Sequence, residues 1–122
     1  MANQPNILTK YRDFQRETSK RDFDIKYLAL GLGGEVGEVQ NEIKKLERDD
    51  NNVMSKQRRD DLIDELGDVM WYMTGICDKL NCSLTDVINN NMIKLEKNRK
   101  NITETSWEGV VPGFSTMCES GR

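Results

Sequence analysis

The 122-residue chain contains no histidine, and this absence excludes more chemistry than any other feature of its composition. Without histidine there is no Ser-His-Asp or Cys-His catalysis, no histidine-ligated zinc, and no Glu-x-x-His di-iron site in a helical bundle. Any chemistry must therefore use carboxylates, lysine, arginine or a bound metal ion.

Cysteine and long apolar runs are also scarce. Cys77, Cys82 and Cys118 are an odd number at spacings that match no metal or redox motif, so we interpret them as buried or free thiols in a reducing compartment. No apolar run approaches the length of a membrane span, and the N-terminal sequence lacks the core of a signal peptide. The net charge of -3 argues against a nucleic-acid binder, which would show a basic face. We expect a cytoplasmic protein with no membrane or nucleic-acid partner.

The supply of apolar side chains is low for a domain of this size. Hydrophobic residues make up 36% of the chain and the mean hydropathy is -0.73. A domain this small has difficulty burying enough apolar surface by itself. We therefore expect it to bury part of that surface against further copies of the chain.

Proline occurs only at Pro5 and Pro112, which leaves a long interior free for helices. Apolar residues recur there at spacings of three and four. They predict four helices, over about 6–18, 22–46 and 57–80, and from an N-cap at Ser83 to about residue 100. The fold class is therefore all-α, a four-helix-type bundle with a domain over 1–100 and an irregular tail over 101–122.

Four glycines interrupt the second predicted helix, at Gly31, Gly33, Gly34 and Gly37. Each costs about 1 kcal/mol of helix propensity relative to alanine. Either another helix or a ligand approaches the backbone here, or the helix kinks or breaks near residues 33–34. The sequence leaves both interpretations open.

Two predicted helices carry acidic stripes in matched register. The stripes consist of Glu35, Glu38 and Glu42 on the second helix and Asp61, Glu65 and Asp68 on the third. Every one of these acids directly precedes an apolar residue, so each acidic stripe lies about 100° round its helix from an apolar stripe, in the same sense.

The short connection between these helices favours an antiparallel pair. If the apolar stripes pack together, reversing one helix brings both acidic stripes to the same side. Glu35, Glu38, Glu65 and Asp68 then converge at one groove, where they cannot all stay ionised without a counter-charge. Oxygen ligands without histidine suit Mg²⁺ or Mn²⁺. The alternative is that the acids form an ordinary solvated face.

The words "GLGGEVGEV" and "DELGDVMWY" around these acids resemble the MazG-like nucleotide pyrophosphohydrolases of the all-α NTP pyrophosphatase superfamily. The family signature, Glu-x-x-Glu followed by Glu-x-x-Asp, reads here as Glu35-x-x-Glu38 and Glu65-x-x-Asp68. The resemblance covers roughly residues 8–100. It implies a Mg²⁺-dependent enzyme, working as a homodimer or dimer of dimers, that cleaves nucleoside triphosphates between the α and β phosphates.

The resemblance also implies roles for individual residues. The four signature acids would bind the metal, and Glu38 or Glu35 would orient the attacking water. Substrate-binding roles are predicted for Lys94, Asn91, Lys97, Arg99, Lys45 and Tyr72. Relatives commonly carry the arginine of the fourth helix one position earlier, where this chain has Asn98, which places Arg99 about 100° away from the expected position.

Two other functions stay open at this point. One is a dUTP- or dCTP-directed pyrophosphatase of the same superfamily. The other is a non-catalytic helical module that binds a partner and whose acids are only a solvated face.

Overall fold

The computed structural model describes residues 6–104, which form four helices and no strand, and this confirms the all-α class. The helices are α1 (Ile7–Thr18), α2 (Ile25–Asp49), α3 (Lys56–Lys79) and α4 (Leu84–Glu104). The described chain divides after Thr85 into two units, the first holding α1 to α3 and the second holding α4 from Asp86. Within 6–104, every helix is too short or too polar to cross a membrane. The cytoplasmic location stays a prediction.

Side-chain caps set where the first three helices begin. Asn6, Asp24 and Ser55 each accept a hydrogen bond from the backbone N–H three residues later, at 2.9, 2.8 and 3.0 Å. Such caps satisfy N–H groups that have no partner within the helix. The cap at Asp24 explains why α2 begins three residues later than the predicted start near Asp22.

The fourth helix begins at Leu84, directly after the predicted cap residue Ser83. It ends at Glu104, so residues 101–104 are helical although the sequence predicted an irregular tail from 101. The rest of the predicted tail, 105–122, lies outside the described residues.

The second helix continues through all four of its glycines, so the helix break considered near residues 33–34 is wrong. At Gly31 the other interpretation holds, because another helix approaches the backbone there. A Cβ atom at Gly31 would lie 2.1 Å from Cε1 of Tyr72. Nothing in the described chain lies within 4 Å of the corresponding positions at Gly33, Gly34 and Gly37.

Helices α2 and α3 form an antiparallel hairpin, as predicted. Three contacts mark its seam in order along α2: Leu28 against Gly75, Gly31 against Tyr72, and Glu42 on Arg58. Residue numbers rise on one helix as they fall on the other. The seam therefore joins residues 28, 31, 35 and 42 of α2 to residues 75, 72, 65 and 58 of α3.

The sequence predicted that the apolar stripes of α2 and α3 pack against each other. This is wrong for the apolar residues that directly follow the seam acids, because they lie outside the interface. The seam runs between the apolar and acidic stripes, so acidic residues lie within it. Residues that directly follow the seam acids remain open: Val36, Ile43 and Leu66 are 41%, 47% and 54% exposed. Among the described residues, the fully buried apolar side chains are Leu28, Cys77 and Leu84.

Helix α1 packs against α3 through polar side chains. The Trp71 indole Nε1–H donates to the Thr18 hydroxyl at 2.8 Å, and the Arg16 guanidinium donates twice to Asp78 at 2.5 and 2.6 Å. Gln15 is 4% exposed, whereas Phe14 beside it is 55% exposed. The helix thus turns its polar side toward the hairpin.

Candidate metal centre

Glu35 of α2 and Glu65 of α3 face each other across the middle of the seam. Both are partly buried, and an oxygen of one carboxyl group lies within 4.8 Å of an oxygen of the other. They meet because α2 and α3 are antiparallel and because both residues lie on the seam side of their helices. Asp68, one turn further along α3, is exposed and opens the cluster toward solvent.

The three carboxylates are close enough to share one ion. One oxygen from each of Glu35, Glu65 and Asp68 lies within 4.8 Å of the other two. Opposite ligands of Mg²⁺ are about 4.2 Å apart, twice its bond length, so small side-chain movements would close the ligand set. An all-oxygen donor set of this size fits Mg²⁺ or Mn²⁺ and leaves coordination positions for water and phosphate.

The electrostatics of the cluster favour a cation. Burial raises the pKa of Glu65, and repulsion from Glu35, Glu38 and Asp68 raises it further. A bound cation would relieve this repulsion and favour the ionised carboxylate. Glu38 stands outside the group of three but is close enough to act electrostatically on Glu65. The structure therefore brings three of the four predicted ligands together and places the fourth beside them.

Glu42, the third glutamate of the α2 stripe, is already neutralised by the protein. Arg58 donates to it at 2.6 Å and Lys45 at 3.1 Å, and Arg58 also donates to Asp50 at 2.8 Å. The hydrogen bonds from Arg58 and then Lys45 lower the pKa of Glu42. The acidic stripe of α2 is thus paired with basic side chains at Glu42 and joins the carboxylate cluster at Glu35.

The same contact bears on Lys45, which was predicted to bind substrate. Its ammonium group lies on Glu42, three residues earlier on α2. A role in substrate binding stays a prediction for Lys45.

Tyr72, another predicted substrate residue, does lie beside the acids. Together with Glu35, Asp68 and Trp71 it lines an open cleft of about 330 Å³. Its ring occupies the space left by Gly31 and meets the ring of Trp71 edge-on at 5.1 Å. Burial raises the pKa of its hydroxyl, and Tyr27, Glu35 and Asp68 add to this effect. An aromatic wall therefore adjoins the carboxylates.

The remaining predicted substrate residues lie on α4. Asn91, Lys94, Lys97 and Arg99 are all exposed, and the Arg99 guanidinium donates to Glu96 at 2.6 Å. Their contact with phosphate stays a prediction.

Two residues near the centre were missed by the sequence analysis, and both lie on α1. Tyr11 has its pKa raised by burial and then by the charge of Asp68. Gln15, four residues later, is nearly fully buried. Tyr11, Gln15 and Thr18 share one side of α1 at helical spacing. This polar spacing is the signal in the sequence that points to the inward side of α1.

Comparison with known proteins agrees with this geometry. The sequence matches the family model of the MazG nucleotide pyrophosphohydrolase domain over residues 23–103, which confirms the resemblance seen in the acidic motifs. It is also similar to the Gene 37 protein of Mycobacterium phage L5, with 41% identity over 75 residues, or 62% of this chain. The aligned region spans 66% of that relative, whose name states no activity. The family match includes α2 and α3 but not α1.

Proposed function

Because the chain belongs to the MazG nucleotide pyrophosphohydrolase family, we propose that it hydrolyses nucleoside triphosphates between the α and β phosphates. The products are a nucleoside monophosphate and pyrophosphate. The observation that carries this proposal is the convergence of Glu35, Glu65 and Asp68 across the seam. A set of acids that only solvated a helix face would not be drawn into a packed interface.

We assign the metal ligands to Glu35, Glu65 and Asp68, with Glu38 completing the set or acting on water. Mg²⁺, or Mn²⁺ in its place, would supply neutralisation of the polyphosphate and a lower pKa for a bound water. Through a metal ion held by the three carboxylates, the phosphates would bind at the mouth of the cleft, where Asp68 is exposed.

Glu38 is our choice for the residue that takes the proton of the attacking water. Its position outside the group of three supports this role, because a carboxylate that is not engaged as a ligand is available to accept a proton. Water adds to the α phosphorus, the bond from that phosphorus to the oxygen bridging the α and β phosphates breaks, and the bridging oxygen leaves with pyrophosphate. Glu35 is the alternative base.

We further propose that the enzyme is a homodimer or a dimer of dimers. Support comes from an apolar edge on one side of the hairpin, with side chains that are 40% to 54% exposed. It consists of Val36, Ile43, Ile63, Leu66 and Met70. This edge is the kind of surface that another copy of the chain would cover.

The reaction is tested by incubating the protein with a panel of nucleoside triphosphates and Mg²⁺ and resolving the phosphorus products. We expect pyrophosphate and monophosphate rather than orthophosphate. Glu38→Gln should lose most of the activity, whereas Glu47→Gln, the same change at an exposed position of α2, should keep it. A folded Glu38→Gln variant with full activity would rule out Glu38 as the base, and orthophosphate as the product would rule out the reaction.

A further inference from the structure

A second pocket lies at the end of the seam away from the α2–α3 connection. Its volume is about 430 Å³, within the range of small-molecule sites. Its lining includes the C-terminal half of α1, the segment between α1 and α2, and the C-terminal part of α3. We call it the Gln15 pocket, because Gln15, Leu28 and Gly75 are the buried residues of its lining and so form its floor.

Gln15 is an unusual residue to find on such a floor. It is 4% exposed, yet no hydrogen bond among residues 6–104 uses its carboxamide. Among the described residues, no side-chain nitrogen or oxygen is both inaccessible to solvent and without a hydrogen-bond partner. Because the Gln15 carboxamide has no such partner, its polar atoms must be accessible to solvent. The carboxamide therefore opens into the pocket, where a ligand can use its donor and its acceptor.

The glycine opposite makes room for this amide. A Cβ atom at Gly75 would lie 2.9 Å from Nε2 of Gln15 and 3.3 Å from both Cδ atoms of Leu28. An alanine would therefore press against the group that a ligand would contact.

The charges at the mouth indicate what kind of ligand fits. The Arg16 guanidinium is held by Asp78 and the Lys79 ammonium by Asp22. The third cation of the lining, Arg21, lies over the ring of Phe23, 5.6 Å from its centroid. Paired cations are poorly placed to bind a phosphate, whereas an uncharged planar group with hydrogen-bonding edges suits an open carboxamide above an apolar floor. The pocket thus favours a heterocyclic base.

The position of the pocket relative to the acids suits a nucleotide. Leu28 precedes Glu35 by seven residues and Gly75 follows Asp68 by seven, which is about 10 Å along each helix. The cleft lined by Tyr72 lies between the two levels. This distance is similar to that between the α phosphate of a nucleotide and the far edge of its base.

We propose that the Gln15 pocket receives the base of the nucleotide whose phosphates bind at Glu35, Glu65 and Asp68, and that the Gln15 carboxamide selects the base through its hydrogen-bonding edge. This inference rests on the proposed function and deepens it. Gln15 lies on α1, outside the residues matched by the family. Base selection would then come from a part of the chain that the shared domain does not include.

The first test compares Gln15→Met with Gln40→Met, the same change at an exposed position of α2. Steady-state kinetics over the nucleotide panel should show that Gln15→Met raises KM for the preferred nucleotide about tenfold or more and flattens the ranking of bases. Gln40→Met should change neither. Gly75→Ala should reproduce the loss with Gln15 in place, because its methyl group displaces the amide.

The second test needs no catalysis. Uridine, cytidine, adenosine and guanosine are titrated into the ¹⁵N-labelled wild-type protein, and the side-chain amide signals of Gln15 are followed. We expect at least one nucleoside to shift them. Nucleoside binding at Gln15 without pyrophosphate release would support the pocket and overturn the proposed reaction. Pyrophosphate release with an unchanged ranking in Gln15→Met, and no shift at Gln15, would overturn the pocket and leave the reaction standing.

Discussion

The ring of Tyr72 fills the space that a side chain at Gly31 would occupy, so the two helices of the hairpin are in close contact at this pair. A Cβ atom at Gly31 would lie 2.1, 2.5 and 2.7 Å from three carbons of the ring. The contact also fixes the wall of the cleft beside Glu35 and Asp68. Gly31 therefore matters both for the packing of the hairpin and for the shape of the cleft.

Gly31→Ala should therefore destabilise the protein although alanine is the better helix former. We expect a loss of about 1–3 kcal/mol, typical of overpacking, measured by chemical denaturation. Gly33→Ala is the matched control, because nothing described lies within 4 Å of its Cβ position. It should stabilise by about 0.5–1 kcal/mol through helix propensity. Equal effects of the two substitutions would contradict the assigned contact.

Glu65→Gln should raise the thermal stability of the metal-free protein at neutral pH. Burial and three neighbouring carboxylates raise the pKa of Glu65 in the folded state, so ionising it costs stability. Below about pH 4.3, the ordinary pKa of glutamate, it is largely protonated whether folded or unfolded. As the pH rises through the raised folded pKa, wild-type stability is lost relative to the glutamine variant.

Melting curves in EDTA between pH 4 and 8 check this sign. The difference between Glu65→Gln and wild type should grow with pH, while Glu47→Gln should follow wild type. A glutamine variant that is less stable than wild type at every pH would show that the carboxylates do not repel.

Arg58→Met should lower the melting temperature more than Arg48→Met does. The Arg58 side chain is 16% exposed and bonds Glu42 and Asp50, whereas Arg48 is 59% exposed and pairs with its neighbour Asp49. Without Arg58, the buried Glu42 would keep Lys45 as its one basic partner among residues 6–104. Exposed ion pairs contribute little to the free energy of unfolding, so Arg48→Met serves as the control.

The pH dependence of this pair has the opposite sign to that of Glu65. Arg58 lowers the pKa of Glu42, so its stabilising contribution is present above the ordinary pKa and is lost as the pH falls through the lowered one. The stability difference between wild type and Arg58→Met should shrink in acid. A difference that stays constant with pH would mean that Arg58 acts through packing alone.

Much of the fold was predictable because the helical signals are local. The spacing of apolar residues gave four helices, and the matched register of the two acidic stripes predicted that Glu35 and Glu65 would meet. Both inferences need only the period of the helix and the direction of the second helix relative to the first.

The rest depends on contacts between distant residues. The sequence does not show that Glu42 accepts a hydrogen bond from Arg58, sixteen residues later. It also does not show that the interface between α2 and α3 lies between the apolar and acidic stripes rather than at the centre of the apolar ones. The inward side of α1 is also not evident from its apolar residues, because Gln15 is buried there and Phe14 is exposed. Tertiary packing decided each of these against the local pattern.

The proposed oligomer predicts an effect at the apolar edge. Leu66→Lys should convert an assembly of two or more 14.1 kDa chains into a monomer in sedimentation equilibrium, because it places a charge where a second copy would pack. Met54→Lys, at a comparably exposed residue of the α2–α3 connection, should leave the mass unchanged. A wild-type protein that sediments as a single chain would remove the proposal.

The most direct test of the metal centre is a Mn²⁺ titration followed by electron paramagnetic resonance, in which bound ion leaves the free-ion signal. We predict that the wild-type protein takes up Mn²⁺, that Mg²⁺ competes for it, and that Glu65→Gln weakens binding by at least about tenfold. Glu47→Gln should bind like wild type. Unchanged binding in Glu65→Gln, or no uptake by the wild-type protein, would contradict the assignment of this cluster as a metal site.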